Sequence, residues 1–139
     1  FNFLVEEGMK LLKNSIDIKT AKLTNSIDKL RAVVLIQIKI LVKYEQFICI
    51  LLSQIWGAEK RSILCRNSLF ECINTVEDIV QEGIAKGEII EVDPKVVASE
   101  IFSLTCSSLI YKLKTGKKIE EAKLYHELDK SMIQGLIRK

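Results

Sequence analysis

A chain of 139 residues has the size of one domain, and at that length roughly two thirds of the unfolded surface can be buried on folding. Its 21 basic and 18 acidic residues are interspersed and leave a net charge of only +3, which argues against nucleic-acid binding by this segment. Hydrophobic residues make up 48% of the chain. This surplus predicts apolar surface that meets a partner subunit, a ligand or a membrane.

Residues that break helices are scarce, since the chain has six glycines and a single proline. This favours an all-α fold, a single helical bundle of about five to six helices. We expect no transmembrane helix, because Lys39, Lys43 and Glu45 interrupt the most apolar stretch. The chain begins at Phe1 with neither an initiator methionine nor a signal-peptide pattern, and we expect it to be part of a longer protein.

The first predicted helix runs from Phe1 to about Lys22, because its apolar residues recur at three- and four-residue steps. These residues are Phe1, Leu4, Val5, Met9, Leu12 and Ile16. Thr24, Asn25 and Ser26 are good N-cap residues and predict the start of a second helix.

The second helix is apolar on most sides between Ala32 and Val42, with Gln37 and Lys39 as the exceptions. So broad an apolar surface predicts that neighbours surround this helix at the centre of the bundle. The pattern leaves open whether residues 26–56 form one helix or two helices broken near Lys43.

A long periodic segment follows Gly57 and ends around Gly87. The dipeptide Asp93-Pro94 then places a capping carboxylate before a proline suited to the first helical position, which predicts a helix from there to about Lys114. A last helix is expected after Gly116. Its apolar stripe consists of Ile119, Ala122, Tyr125, Met132 and Leu136.

No arrangement of residues predicts an enzyme, a cofactor or a metal site. Cys65 and Cys72 share a helix face, but two turns separate them by about 10.5 Å, too far for both thiolates to hold one metal ion. His126 is the only histidine. Together with Cys49 and Cys106, these cysteines are expected to be buried free thiols in a reducing cytoplasm.

Aromatic residues lie on several predicted helices and allow two interpretations, because they either fill the core or line an apolar pocket. They are Tyr44, Phe47, Trp56, Phe70 and Phe102. The small residues Thr105-Cys106-Ser107-Ser108 similarly permit close approach of another helix or mere packing within the chain.

The segment Gln81-Glu82-Gly83-Ile84-Ala85-Lys86-Gly87-Glu88-Ile89, followed by Asp93-Pro94 and an apolar helix, resembles the stretch that joins the seventh and eighth helices of TetR/AcrR-type transcriptional regulators. The order of the other helices is similar to that family over nearly the whole chain. Two features depart from it. The family's helix-turn-helix does not precede Phe1 in this sequence, and Ser107-Ser108 stand where many relatives carry glycine.

The resemblance implies that residues 1–139 are the effector-binding and dimerisation domain of a cytoplasmic bacterial regulator, a repressor that a small apolar effector releases. It implies a homodimer formed through the last two helices, DNA contact only through an N-terminal head outside this chain, and no membrane partner. The expected ligand-binding residues are Phe47, Leu51, Trp56, Phe70, Ile73, Phe102 and Cys106. The expected dimer-interface residues are Ser107, Ser108, Tyr125, Met132 and Leu136.

The alternative that the sequence leaves open is a helical carrier or scaffold domain that binds lipid or protein and has no DNA-binding head.

Overall fold

A computed structural model describes residues 2–46, 50, 53, 57–116 and 118–139, without the side chains of Asn2, Arg61 and Leu113. Within these ranges the fold is all-α, as predicted. The helices are α1 (Asn2–Thr20), α2 (Ser26–Lys43), α3 (Lys60–Ala85), α4 (Pro94–Lys114) and α5 (Glu121–Leu128). A π-helical turn (Asp129–Ile133) and a 3-10 turn (Gln134–Leu136) follow α5. None of these helices is long and apolar enough to cross a membrane.

Two of the predicted helix starts are confirmed by their side-chain caps. The Asn25 carboxamide oxygen accepts hydrogen bonds from the amides of Ile27 and Asp28 at 2.8 and 3.2 Å, and α2 begins at the next residue. The Asp93 carboxylate accepts from the amides of residues 95 and 96 at 3.0 and 3.4 Å, and α4 begins at Pro94. Each cap satisfies amides that the first turn of a helix leaves without a backbone acceptor.

Helix α2 is the central helix of the bundle and packs against α1, α3, α4 and α5. Consecutive residues such as Val33 and Val34 are both fully buried, so apolar neighbours cover more than one side of the helix. The helix ends at Lys43, because the backbone of Tyr44, at φ −116° and ψ 59°, leaves the helical region. Residues 45, 46, 50 and 53 are helical again. The break that the sequence left open therefore occurs at Lys43.

Helix α3 ends in a glycine turn that satisfies its last carbonyl groups. Gly87 has a φ of +75°, in the left-handed region that favours glycine. Its amide donates to the carbonyl of Ile84 at 3.1 Å, and the amide of Glu88 donates to the carbonyl of Gly83 at 2.8 Å. This pair of bonds is the Schellman motif, and it turns the chain back towards the start of α2.

The link after α3 holds the start of α2 and the C-terminal end of the chain together. The Glu88 carboxylate accepts hydrogen bonds from the backbone amide of Ser26 and from the side-chain amide of Asn25, both at 3.1 Å. A negative charge at this position also suits the positive end of the α2 dipole. The backbone of residues 88–90 pairs with residues 136–138 through two hydrogen bonds of 2.9 and 3.1 Å.

The prediction of a single last helix reaching Leu136 is wrong, because α5 ends at Leu128 and a π-helical turn follows. The extra residue of such a turn shifts the face of the helix that points inward. Asp129, 8% exposed, lies within hydrogen-bond distance of Arg31 Nε at 2.8 Å and Gln134 Nε2 at 3.2 Å. Burial by itself raises the pKa of Asp129, but the hydrogen bonds from Arg31 and Gln134 outweigh it and lower the pKa. This partly buried ion pair thus fixes the phase of the segment.

Replacing Gly83 by alanine is expected to destabilise the fold. A Cβ there would lie 2.8 Å from the Cβ of Ser26 and 2.7 Å from Cγ1 of Ile89, and it would also collide with the Ile89 methyl group. Overpacking of this kind costs about 1–3 kcal/mol, which exceeds the gain of up to about 1 kcal/mol in helix propensity. Urea unfolding should show a lower free energy of unfolding for Gly83→Ala. Gly135→Ala is the matched control, because nothing lies within 4 Å of its Cβ position. Equal stability of the two variants would contradict the close contact.

Candidate functional site

A narrow gap lies in the interior where α1, α2, α3 and α4 meet. It is too narrow for a water-sized sphere to fit inside. The side chains around it are Ile16, Gln37, Cys72, Ile73, Val76, Ala98 and Phe102. Atoms beside even so narrow a void have fewer packing partners on that side.

Gln37 is the one carboxamide among the described side chains that line this gap. The residue is only 2% exposed, and its Oε1 atom is buried and accepts no hydrogen bond from any described residue. A buried polar atom without a partner costs about 1–3 kcal/mol. The central helix therefore carries an unsatisfied acceptor in the middle of an apolar interior.

The thiols near the gap are neutral at physiological pH. Burial raises the pKa of Cys72 to about 11 and that of Cys106 to about 12. The Cys72 thiol lies 3.8 Å from the carbonyl of Met9 and can donate a weak hydrogen bond to it. Cys65, Cys72 and Cys106 are buried and free, as predicted, whereas Cys49 lies outside the described residues. Among the described residues no group of three His, Cys, Asp or Glu side chains is placed to hold a metal ion.

A second concave region is the groove between the C-terminal half of α4 and the start of α5. Its volume is about 580 Å³. Ser107, Ser108, Tyr111 and Leu124 line it together with several charged side chains. Tyr111 is 69% exposed, and Leu104 and Ile110 on the same helix are also exposed. Helix α4 thus buries one face in the core and leaves a second face, of small and apolar residues, that no other described part of the chain covers.

The architecture matches solved structures of regulators. The protein from Clostridium perfringens proposed to regulate fatty acid metabolism is 27% identical, with a TM-score of 0.91, over 100% of this chain and 76% of that one. AibR, solved with isovaleryl coenzyme A and operator DNA, is 18% identical with a TM-score of 0.74, over 98% of this chain and 72% of its own. A regulator of the TetR/AcrR family from Thermobifida fusca YX-ER1 is 14% identical with a TM-score of 0.72, over 99% and 70%. No protein-family model and no curated protein matches the chain.

The chain has the fold of the TetR/AcrR regulatory domain. The resemblance found in the sequence is confirmed by these matches. The relatives with a described role are regulators, which agrees with the prediction that this TetR-type domain is not an enzyme. The segment of the sequence that carries the resemblance forms the turn after α3 and the start of α4, and none of residues 83–94 is among the side chains that line the gap.

Two of the predicted ligand-binding residues, Ile73 and Phe102, line the gap. Cys106 is buried one turn beyond Phe102 but does not line it, and Phe70 is 52% exposed. Three more lie outside the described residues: Phe47, Leu51 and Trp56. Sequence reasoning missed Gln37 as a site residue, although its polar character within an apolar run was the signal that pointed to it.

The predicted interface residues of the TetR-type domain fall into two groups. Ser107 and Ser108 line the groove on α4. Tyr125 and Met132 are half-buried against the core of their own chain, and Leu136 is only 8% exposed. The structure therefore separates these three residues from the exposed apolar face of α4.

Two valines of α3 provide a test of the loose packing at the gap. Val76 lines the gap and Val80 does not, yet both are buried, at 2% and 0% exposed. Val80→Ala should cost about 1–3 kcal/mol, as other large-to-small core substitutions do, and Val76→Ala should cost less by about 0.5 kcal/mol or more. Chemical denaturation of both variants measures the difference. A larger loss at Val76 would show that the core is tightly packed there.

Proposed function

We propose that this chain is the effector-sensing and dimerising domain of a bacterial transcriptional regulator, and that an apolar small molecule binds by opening the interior gap. The observation that carries the proposal is this narrow interior gap, whose described lining is apolar except for the Cys72 thiol and for Gln37, a buried carboxamide whose oxygen has no hydrogen-bond partner among the described residues. Ligand pockets combine apolar walls with a few polar groups in this way. The similarity to a proposed fatty acid metabolism regulator and to AibR with isovaleryl coenzyme A supports an effector with an acyl chain.

The proposed mechanism couples the gap to α1. Ile16 on α1 lines the gap, and the N-terminal end of the same helix lies roughly 20 Å away along the helix axis. An effector that enlarges the gap displaces Ile16 and with it α1. Such a shift releases DNA only if the effector binds one of two bundle packings more tightly, since equal affinity would change nothing. DNA contact belongs to a head that precedes α1, and the regulator acts as a repressor in the cytoplasm.

The helical carrier or scaffold domain is less well supported than the regulator. The solved structures with matching folds and described roles are regulators, and their similarity extends over nearly the whole chain.

Thermal unfolding in the presence of apolar compounds tests effector binding. Octanoyl coenzyme A, octanoic acid and a library of neutral apolar molecules should include compounds that raise the melting temperature, by an amount that corresponds to about 2.7 kcal/mol at a hundredfold excess over the dissociation constant. Ala98→Val should abolish the shift, because it places two methyl groups in the gap. Ser99→Val, at the exposed neighbouring position, is the matched control and should retain it. The proposal fails if no compound shifts the melting temperature, or if Ala98→Val responds like wild type.

We also propose that the exposed face of α4 and the adjoining groove form the interface of a homodimer, with the second copy of the chain packing its own α4 and α5 there. Wild type should sediment as a dimer at micromolar concentration. Leu104→Glu combined with Tyr111→Glu should yield a folded monomer, because these side chains are 46% and 69% exposed and contribute little to the core. Ile18→Glu, at a 63% exposed position on α1, is the control and should remain dimeric. A monomeric wild type, or a dimer unaffected by the double substitution, would exclude this interface.

A further inference from the structure

Gln37 is placed to recognise a ligand by its chemistry. It lies in the middle of the central helix, between side chains from α1, α3 and α4, and its Oε1 atom has no hydrogen-bond partner in the part of the chain that the structure describes. The gap beside it admits no water molecule. The usual solution for a buried polar atom, a bound water, is therefore not open to this carboxamide while the helices remain closed.

The other side chains at the gap restrict the chemistry of the ligand group that could donate a hydrogen bond to Gln37 Oε1. Among the described residues, no Lys, Arg, Asp or Glu lines the gap. The only titratable side chain that the described part of the chain places there is the Cys72 thiol, which stays neutral because burial raises its pKa to about 11. An ionised ligand group would lose its hydration without gaining a counter-charge. A neutral group that carries a hydrogen-bond donor, such as a hydroxyl or an amide N–H, would satisfy Oε1 without that loss.

We infer that Gln37 is the specificity-determining residue of the effector site, and that the effector buries a neutral hydrogen-bond donor against its Oε1 atom. This inference rests on the proposed function. An effector can control the protein only if it binds one packing of the helices more tightly than the other. The closed packing leaves Oε1 unsatisfied, whereas in the ligand-bound packing the effector satisfies it. The apolar remainder of the effector fills the space between Ile73 and Phe102, which line the same gap from two helices.

The test compares 1-octanol with 1-methoxyoctane, two neutral probes with the same octyl chain, of which only the alcohol carries a hydrogen on its oxygen. Their dissociation constants are measured calorimetrically on the full chain for wild type and for Gln37→Met, which keeps the length of the side chain and removes the carboxamide. The ratio of the two dissociation constants is compared between wild type and Gln37→Met, because the different costs of desolvating the two probes cancel in that comparison. The preference for the alcohol should be about 3- to 10-fold greater in wild type than in Gln37→Met.

Thr105→Val is the matched control. Thr105 is fully buried, but its hydroxyl donates to the carbonyl of Ile101 at 2.7 Å and does not line the gap. This variant should keep the wild-type preference. A second measurement concerns the protein without ligand, in which Gln37→Met should raise the melting temperature, because an unsatisfied polar atom is replaced by an apolar group of similar size.

The outcomes separate the inference from the proposed function. If both probes bind and the preference is the same in wild type and Gln37→Met, the inference is wrong and the effector site remains. A lower melting temperature for Gln37→Met would show that the carboxamide has a partner in the closed protein, and this also overturns the inference. If neither probe nor any compound of the thermal screen binds to wild type, the proposed function and the inference both fail.

Discussion

The contact between the start of α2 and the end of α3 determines how the rest of the bundle is arranged. Gly83 allows Ser26 and Ile89 to pack against the backbone of α3 at a distance that no side chain would tolerate. The Glu88 carboxylate then satisfies the first amide of α2, and the backbone beside it pairs with the C-terminal residues. The Ser26 hydroxyl has no hydrogen-bond partner among the described residues, and leaving this buried polar group unsatisfied is the energetic cost of so close an approach.

Polar contacts hold the central helix mainly at this end. Glu88 caps its first turn, and the Arg31 guanidinium, one turn further on, binds the buried Asp129 carboxylate. Gln37 lies roughly 16 Å along the helix axis from Ser26, where the described contacts are apolar and the packing leaves a gap. Hydrogen bonds and ion pairs are directional and therefore fix the position of a helix more strictly than apolar contacts do. A change in helix packing would accordingly break the fewest directional bonds around Gln37. The arrangement gives the bundle one rigid end and one adaptable region.

The sequence was sufficient for the parts of the fold that local chemistry determines. The caps at Asn25 and Asp93 and the glycine turn at Gly87 depend on residues within a few positions of one another, and the structure confirms each of them. The last segment was predicted wrongly because its course depends on the ion pair of Asp129 with Arg31, which is distant in the sequence. No helical periodicity signals that a carboxylate on the apparent outer face has a buried partner elsewhere.

The site was less predictable than the fold, for a related reason. Ile73 and Phe102 could be chosen because they are apolar and lie on helices expected to converge, and both reach the gap. Phe70 fits the same description but is half exposed. Three residues along a helix amount to a rotation of nearly one turn, so a small error in the predicted orientation of the helix about its axis moves a side chain out of the core. The role inferred for Gln37 depends on the absence of a partner for one atom, and only coordinates reveal that.

The residues that identify the fold are different from those that we expect to define the ligand. Gly83, Gly87 and Glu88 satisfy backbone groups and permit a close helix contact, and none of them lines the gap. Structures only 14% to 27% identical to this chain share its architecture. Recognition of the fold therefore carries little information about the ligand, whose chemistry has to be inferred from Gln37 and the apolar side chains around it.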